Sequence, residues 1–237
     1  MSMNLLRKGL WSNTYQVGKE FVKRLNFFEP LAAEREEKAS RLVYRNGIYT
    51  PKHLYTILEK EGSISMHYEY LPMKKLTNED VMSDEILLKQ VMCLFGELSK
   101  IPWDSKDEYW YNHITKEFEY ELSLLDFDTH NYVNYLHSLV PAVFIHGDCS
   151  VYNMGLYQNK LIVFDFQHGS WGPEGWDRAY FVSTMKKDFS YKIPLTIQEI
   201  KMVELIAAVK LGRAIKKGLA ETSMRREIFE TWRTMNF

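Results

Sequence analysis

The chain reads as an α+β protein in two parts, a small antiparallel sheet with one helix over residues 1–71 and a mainly helical part over 72–237. Three observations predict this. Alternating apolar and polar residues flank a Gly18-Lys19 turn and return over 53–70, the period of half-buried strands. A helical pattern interrupts those strands at 30–46. From residue 83 onward most apolar residues recur at helical spacing, apart from the short run Leu161-Ile162-Val163-Phe164.

The elements follow in order. Residues 13–17 and 20–25 form strands, with Phe21, Lys23 and Leu25 on one face. Pro30 opens the helix and Asn46-Gly47 ends it. Residues 53–58 and 63–70 are two more strands, and 72–76 link the two parts. Ser83 is the expected N-cap of the next helix, with Asp84 and Glu85 in its first turn. Leu87, Val91, Leu94 and Leu98 make one apolar stripe. A polar-aromatic helix is expected over 104–125, and 131–139 leads into a loop at 146–153. Further helices fall near 177–187, 196–217 and 221–235; the lysines and arginines of this last region read as a solvated face.

Composition narrows the class. A chain of 237 residues can bury a sizeable core as one large domain or two lobes. The net charge of -1 carries no nucleic-acid or membrane footprint. Two cysteines do not make a disulfide framework; Cys93 lies in an apolar helix pattern and is expected in the core. No run reaches transmembrane length, so the expected home is the cytoplasm.

The chemistry concentrates in His146-Gly147-Asp148, Asn153 and Asp165. An Asp, an Asn five residues on and a second Asp after an apolar run are what a kinase-type phosphoryl transferase requires. Asp148 holds the acceptor hydroxyl, while Asn153 and Asp165 hold Mg2+, which takes hard oxygen ligands. No P-loop pattern is present, and no His or Cys cluster has zinc spacing.

His146-Gly-Asp-Cys-Ser-Val-Tyr-Asn153 resembles the catalytic loop of the aminoglycoside phosphotransferase and choline kinase family, which has a protein-kinase-like two-lobe fold. Phe164-Asp-Phe-Gln167 is similar to that family's metal-binding strand end, and Trp176-Asp177-Arg-Ala-Tyr180 to its following helix start. The likeness is strong over 141–181 and looser over 1–72. Cys149 replaces the usual Leu, and Pro173-Glu174 a common Asp-Pro pair. The resemblance implies ATP as phosphoryl donor, with Lys23 on the third strand as the phosphate-binding cation. Arg24 is its rival, because a one-residue slip reverses the faces. Among Glu34, Glu36 and Glu37, the family spacing favours Glu36 as the partner of that cation. Tyr68-Glu-Tyr-Leu-Pro72 is similar to the hinge, where Glu69 and Leu71 would meet the adenine edge. Gly9-Leu-Trp-Ser-Asn-Thr14 stands at the nucleotide-covering loop without being glycine-rich. His146 braces the loop, Asp177 hydrogen-bonds its backbone, and Ser150 touches phosphate.

Trp171 and Trp176 flank the exit of the metal strand, and aromatic faces attract protonated or quaternary amines. The expected acceptor is therefore a small cationic alcohol of the choline, ethanolamine or amino-sugar type. Two other readings compete: an atypical protein kinase similar to the RIO kinases, and a kinase-like binding protein without activity. The short gap from Asp165 to Asp177 argues against the first, and the intact Asp148, Asn153 and Asp165 against the second.

Overall fold

The structure, a computed structural model, describes residues 3–8, 12–25, 30–185, 192–218 and 222–234. In chain order its elements are β1 (Met3–Lys8), β2 (Ser12–Val17), β3 (Glu20–Leu25), α1 (Pro30–Arg45), β4 (His53–Leu58), β5 (Ile64–Glu69), β6 (Lys74–Lys75), α2 (Asn78–Ser83), α3 (Glu85–Leu98), α4 (Thr115–Leu122), α5 (His130–Ser138), β7 (Pro141–Ile145), β8 (Met154–Tyr157), β9 (Lys160–Val163), β10 (Ser170–Pro173), α6 (Trp176–Val182), α7 (Ile197–Lys217) and α8 (Thr222–Thr234). They group into two compact units, one within 1–101 and 151–169, the other within 102–150 and 170–237.

The first unit carries an antiparallel sheet in the order β1-β2-β3-β5-β4, with β3 paired on both sides. Leu25, Ala33, Ile64, Met66 and Tyr68 form its core, and Phe21 packs against it. Helix α1 buries Ala33, Glu36, Ala39, Ser40 and Val43, a stripe of three- and four-residue steps. Pro30 is tolerated at its start because that position has no intrahelical N–H partner to lose. Beyond its end Asn46 bonds the Leu42 carbonyl at 2.8 Å, and Gly47 takes φ +81°, open to glycine without steric cost.

Two expectations for α3 need correction. Its N-cap is Asp84, which accepts from the amides of Ile86 and Leu87, and not Ser83. Ser83 ends α2, an unforeseen helix opened by a capping box between Thr77 and Asp80, and turns its hydroxyl back to the Glu79 carbonyl. Cys93 is exposed, because it lies off the stripe of Leu87, Val91, Leu94 and Leu98 that is buried. The unit is completed by the β8–β9 hairpin, whose turn residues Gln158 and Asn159 have φ of 51° and 60°, as a type I′ turn requires.

In the second unit β7 pairs with β10, and the remaining described elements are helical. The helix expected over 104–125 starts later, with a π-turn over Trp110–Ile114 that continues into α4. Trp110, Ile114, Phe118 and Leu122 are all buried, a four-residue step that runs ahead of the 3.6-residue turn. A wider i→i+5 turn, seen in the Thr115 amide bonding the Trp110 carbonyl, absorbs that drift. The helix expected over 177–187 spans Trp176–Val182; residues 186 and 187 lie outside the described residues. Helix α7 is opened by a capping box between Thr196 and Glu199 and stops at Gly218, with φ +57°. No helix among the described residues is long and apolar enough to cross a membrane.

Candidate active site

In the first unit, β3 register decides which cation points inward. Lys23 pairs with Met66 across the ladder and turns to the α1 side, where its side chain is 5% exposed. Its Nζ lies 2.5 Å from Glu36 Oε2 and 2.7 Å from Asp165 Oδ1. Arg24 points to the opposite face, donating to Ser65 Oγ at 3.3 Å and pairing with Glu59. Glu36 is also fixed by the Tyr68 hydroxyl, which donates to its Oε1 at 2.9 Å. Burial works against the Lys23 charge, but Asp165 and Glu36 outweigh it and hold the ammonium above the usual lysine value. Glu34 is exposed on α1, and Glu37 bonds the Thr56 hydroxyl and Arg41, so neither reaches Lys23.

The β8–β9 hairpin sets Asn153 and Asp165 on neighbouring strand ends. Met154 pairs with Val163, and the Phe164 amide bonds the Asn153 carbonyl at 3.0 Å. Asp165 then takes φ +72°, a left-handed conformation that is uncommon for a residue with a side chain and recurs at functional sites. Among the described residues no group of three or more His, Cys, Asp and Glu side chains could hold a metal. A kinase-type Mg2+ site needs fewer protein ligands, since substrate phosphates and waters complete its shell. One amide oxygen and one carboxylate on one hairpin fit that demand.

In the second unit, the loop after β7 is held by the start of α6. The Asp177 carboxylate accepts from the amides of His146 at 2.8 Å and Gly147 at 3.0 Å. Burial raises the Asp177 carboxyl, while His146 and the two amides pull it down. Gly147 has φ +85°, which lets the chain turn at that point. His146 is fully buried and its Nδ1 accepts the Asp148 amide at 3.3 Å, a bracing contact. The Ser150 amide closes a tight turn on the Asp148 carbonyl at 2.9 Å. Cys149 is buried and its thiol is pushed well above its usual range, first by burial, so it is not a nucleophile.

Trp176 does not line a cleft. It has no exposed surface, stands edge-on to Trp110 with centroids 4.6 Å apart, and packs on Phe118. The first turn of α6 puts Asp177 on the loop, and the ring beside it fills the core, its Nε1 donating to the Gly147 carbonyl at 3.4 Å. Trp176→Leu is therefore expected to destabilise the protein by about 3 kcal/mol. Denaturant unfolding is the measurement; unchanged stability would contradict the core position. Trp171, on β10 opposite Phe144, is half-buried.

In the segment expected as the hinge, Glu69 ends β5 and its amide bonds the Lys52 carbonyl at 2.9 Å. The Leu71 carbonyl accepts from Met73 at 2.8 Å. Residues 9–11 of the expected nucleotide-covering loop lie outside the described residues. Tyr68 was read only as part of the hinge-like segment; its bond to Glu36 escaped the sequence reading, although strand alternation already placed it on the face of Met66. So did the buried Lys210 of α7; a lone lysine between Val209 and Leu211 was the available signal.

The fold is of the protein-kinase-like phosphotransferase type. The chain belongs to the phosphotransferase enzyme family, whose model matches residues 4–193. Membership supports a small-molecule phosphotransferase. No curated protein matches the sequence. Among solved structures, a choline/ethanolamine kinase family protein from Mesorhizobium loti is 11% identical with a TM-score of 0.64, over 98% of this chain and 85% of the other. The GDP complex of aminoglycoside 2'-phosphotransferase-IIIa is 17% identical with a TM-score of 0.68, over 100% and 94%. An amicoumacin kinase in complex with AMP-PNP, Ca2+ and Ami is 15% identical with a TM-score of 0.66, over 96% and 88%. At such identities these likenesses speak for the fold.

Proposed function

We propose that the protein is a small-molecule kinase that moves the γ-phosphate of ATP to a hydroxyl of a small cationic alcohol in the cytoplasm. The observation that carries this reading is the Lys23 ammonium held between Glu36 and Asp165. It joins strand lysine, helix glutamate and metal-strand aspartate, the arrangement phosphoryl transfer uses to orient and neutralise nucleotide phosphates. The lobes of this reading are residues 1–71, binding nucleotide, and 72–237, carrying the loop and the acceptor.

In this reading Asn153 and Asp165 hold Mg2+, which supplies charge neutralisation on the phosphates. Lys23 exchanges part of its contact with Asp165 for phosphate oxygens and stays oriented by Glu36. The Glu69 amide and the Leu71 carbonyl are committed within the protein, so the adenine edge meets the Glu69 carbonyl and the Leu71 amide. Asp148 accepts the hydrogen bond of the acceptor hydroxyl and takes its proton as the new O–P bond forms. Asp177 and His146 keep the loop in the shape that presents Asp148. Ser150 lines the phosphate side of the same loop.

For the acceptor, Trp171 is the aromatic candidate that remains, and a cation over its face would gain about 0.5–2 kcal/mol. Choline and aminoglycoside kinases among the structural neighbours suit the same chemistry. A protein substrate is disfavoured, because β10 begins at Ser170, soon after Asp165, and leaves no long segment to receive a peptide. Turnover of ATP should be measured with amino-alcohols, aminoglycosides, neutral sugar alcohols and protein substrates, beside nucleotide binding with and without Mg2+. Turnover with a cationic alcohol is the expected result. Absence of Mg2+-dependent nucleotide binding would overturn the kinase reading, and preference for a neutral alcohol would overturn the cationic acceptor.

A further inference from the structure

Asp165 sits in a backbone conformation that its neighbours must hold. A φ of +72° is unfavourable for a residue with a side chain, so the chain on both sides has to fix it. Upstream, backbone bonds do this. The Val163 amide bonds the Tyr49 carbonyl at 3.1 Å, and the Phe164 amide bonds the Asn153 carbonyl at 3.0 Å. Lys160, which opens β9, stands 4.2 Å from the centre of the Tyr49 ring. The β8–β9 hairpin is thereby fastened to the chain that follows α1.

Downstream, a side chain holds the segment. Residues 166–169 turn tightly, with the Gly169 amide bonding the Phe166 carbonyl at 2.9 Å, and Phe166 is fully buried. The Gly169 carbonyl accepts from Arg35 Nη1 at 3.2 Å. Arg35 precedes Glu36 on α1. Successive helix residues stand roughly 100° apart, so one helix turns Glu36 to Lys23 and Arg35 to the Gly169 turn. Glu36 acts on the start of the segment, through Lys23 and Asp165 Oδ1. Arg35 acts on its far end. A guanidinium bond to a carbonyl is charge-assisted and stronger than a neutral one. Arg35 is half-buried and stands off the buried stripe of Ala33, Glu36 and Ala39, so its removal leaves that packing in place.

We propose that Arg35 is a positioning residue for the metal-binding carboxylate: its bond to the Gly169 carbonyl fixes the far end of 165–169 and so holds Asp165 in the geometry that takes Mg2+. Groups that orient a metal ligand are worth roughly 10–100-fold in metal affinity. This inference rests on the kinase reading of Asp165 and extends it to a residue of α1 that touches neither metal nor nucleotide. It assigns Arg35 an effect on Mg2+ and none on nucleotide contacts made without the metal.

The test uses the full chain with Arg35→Met and Arg35→Ala, which remove the donors on a good helix former, and Arg35→Lys, which restores a charged donor. Binding of a non-hydrolysable ATP analogue is titrated against Mg2+ and again in chelator, and amide exchange at Gly169 is followed without metal. Arg35→Met and Arg35→Ala are expected to raise the Mg2+ concentration for half-maximal nucleotide binding roughly 10–100-fold. Affinity in chelator should be unchanged, and Gly169 exchange should be faster. Arg35→Lys should bring the Mg2+ midpoint back toward wild type. Should one truncation fail to fold, the other decides. A Mg2+ midpoint within about threefold of wild type, or an equal loss of affinity with and without Mg2+, would overturn the proposal and leave the kinase reading standing. So would an Arg35→Lys midpoint worse than that of Arg35→Ala. A wild-type protein whose nucleotide binding ignores Mg2+ would remove that reading, and this assignment with it.

Discussion

Asp148→Ala is expected to lower kcat by roughly 10²–10⁴-fold, the range of a lost general base, while nucleotide binding survives. Two features of the structure separate those effects. Lys23, Glu36 and Asp165, the groups proposed to face the phosphates, form their own ion-pair cluster in the first unit. Asp148 belongs to the second unit, where its loop is held by Asp177 through backbone amides and not through the Asp148 side chain. Removing that side chain should therefore leave the loop in place. Asp148→Asn keeps the shape and one acceptor oxygen but cannot take the proton, so it should fall in the same range. Single-turnover measurements decide: rates within about threefold of wild type in either variant would remove Asp148 from the chemistry.

The second large effect is expected at Asp165 and its cation. Asp165→Asn should abolish Mg2+-dependent nucleotide binding, because an amide replaces the charged oxygen ligand. Asparagine tolerates the left-handed backbone at φ +72°, so this variant removes the charged ligand and the ion pair to Lys23 without the backbone strain that Asp165→Ala adds. Lys23→Met should act differently. It leaves Glu36, 2% exposed, with the Tyr68 hydroxyl but without its cation, and a broken buried ion pair costs about 3–5 kcal/mol. Lys23→Met is thus expected to lower stability strongly as well as weaken nucleotide binding. Arg24→Ala should change either property little, since its partners Glu59 and Glu61 are surface groups. Titration calorimetry with a non-hydrolysable nucleotide, paired with denaturant unfolding, is the measurement. A larger loss of binding in Arg24→Ala than in Lys23→Met would reverse the assignment of the strand face.

Much of this was legible before folding was considered. The alternation of Phe21, Lys23 and Leu25 and the stripe of Ala33, Glu36 and Val43 are short-range periodicities, and they follow from backbone geometry alone. The loop residues Asp148 and Asn153 and the strand-end Asp165 were legible because their residue types and spacing are tied to one hairpin and one loop. Misreadings occurred where two local signals competed. Ser83 and Asp84 are both cap residues, and the structure gave the cap to the carboxylate because the Ser83 hydroxyl is spent on the Glu79 carbonyl. The π-turn at Trp110–Ile114 was invisible because a four-residue apolar step is compatible with an ordinary helix until all four rings and side chains must face one core.

What the sequence by itself determined is the family, the strands on either side of Gly18 and the longer helices, since each depends on neighbours only a few positions away. Tertiary structure decided which way side chains with equal local claims point. It placed Trp176 in the core against Trp110 and Phe118, although its position beside Asp177 suited a cleft equally well. It chose Lys23 over Arg24, because only one face of β3 meets α1 and Glu36. It also brought Lys210, thirty positions after Tyr180, onto the ring of Tyr180. Contacts of that separation arise from the packing of α7 on α6, and no periodicity within either helix encodes them.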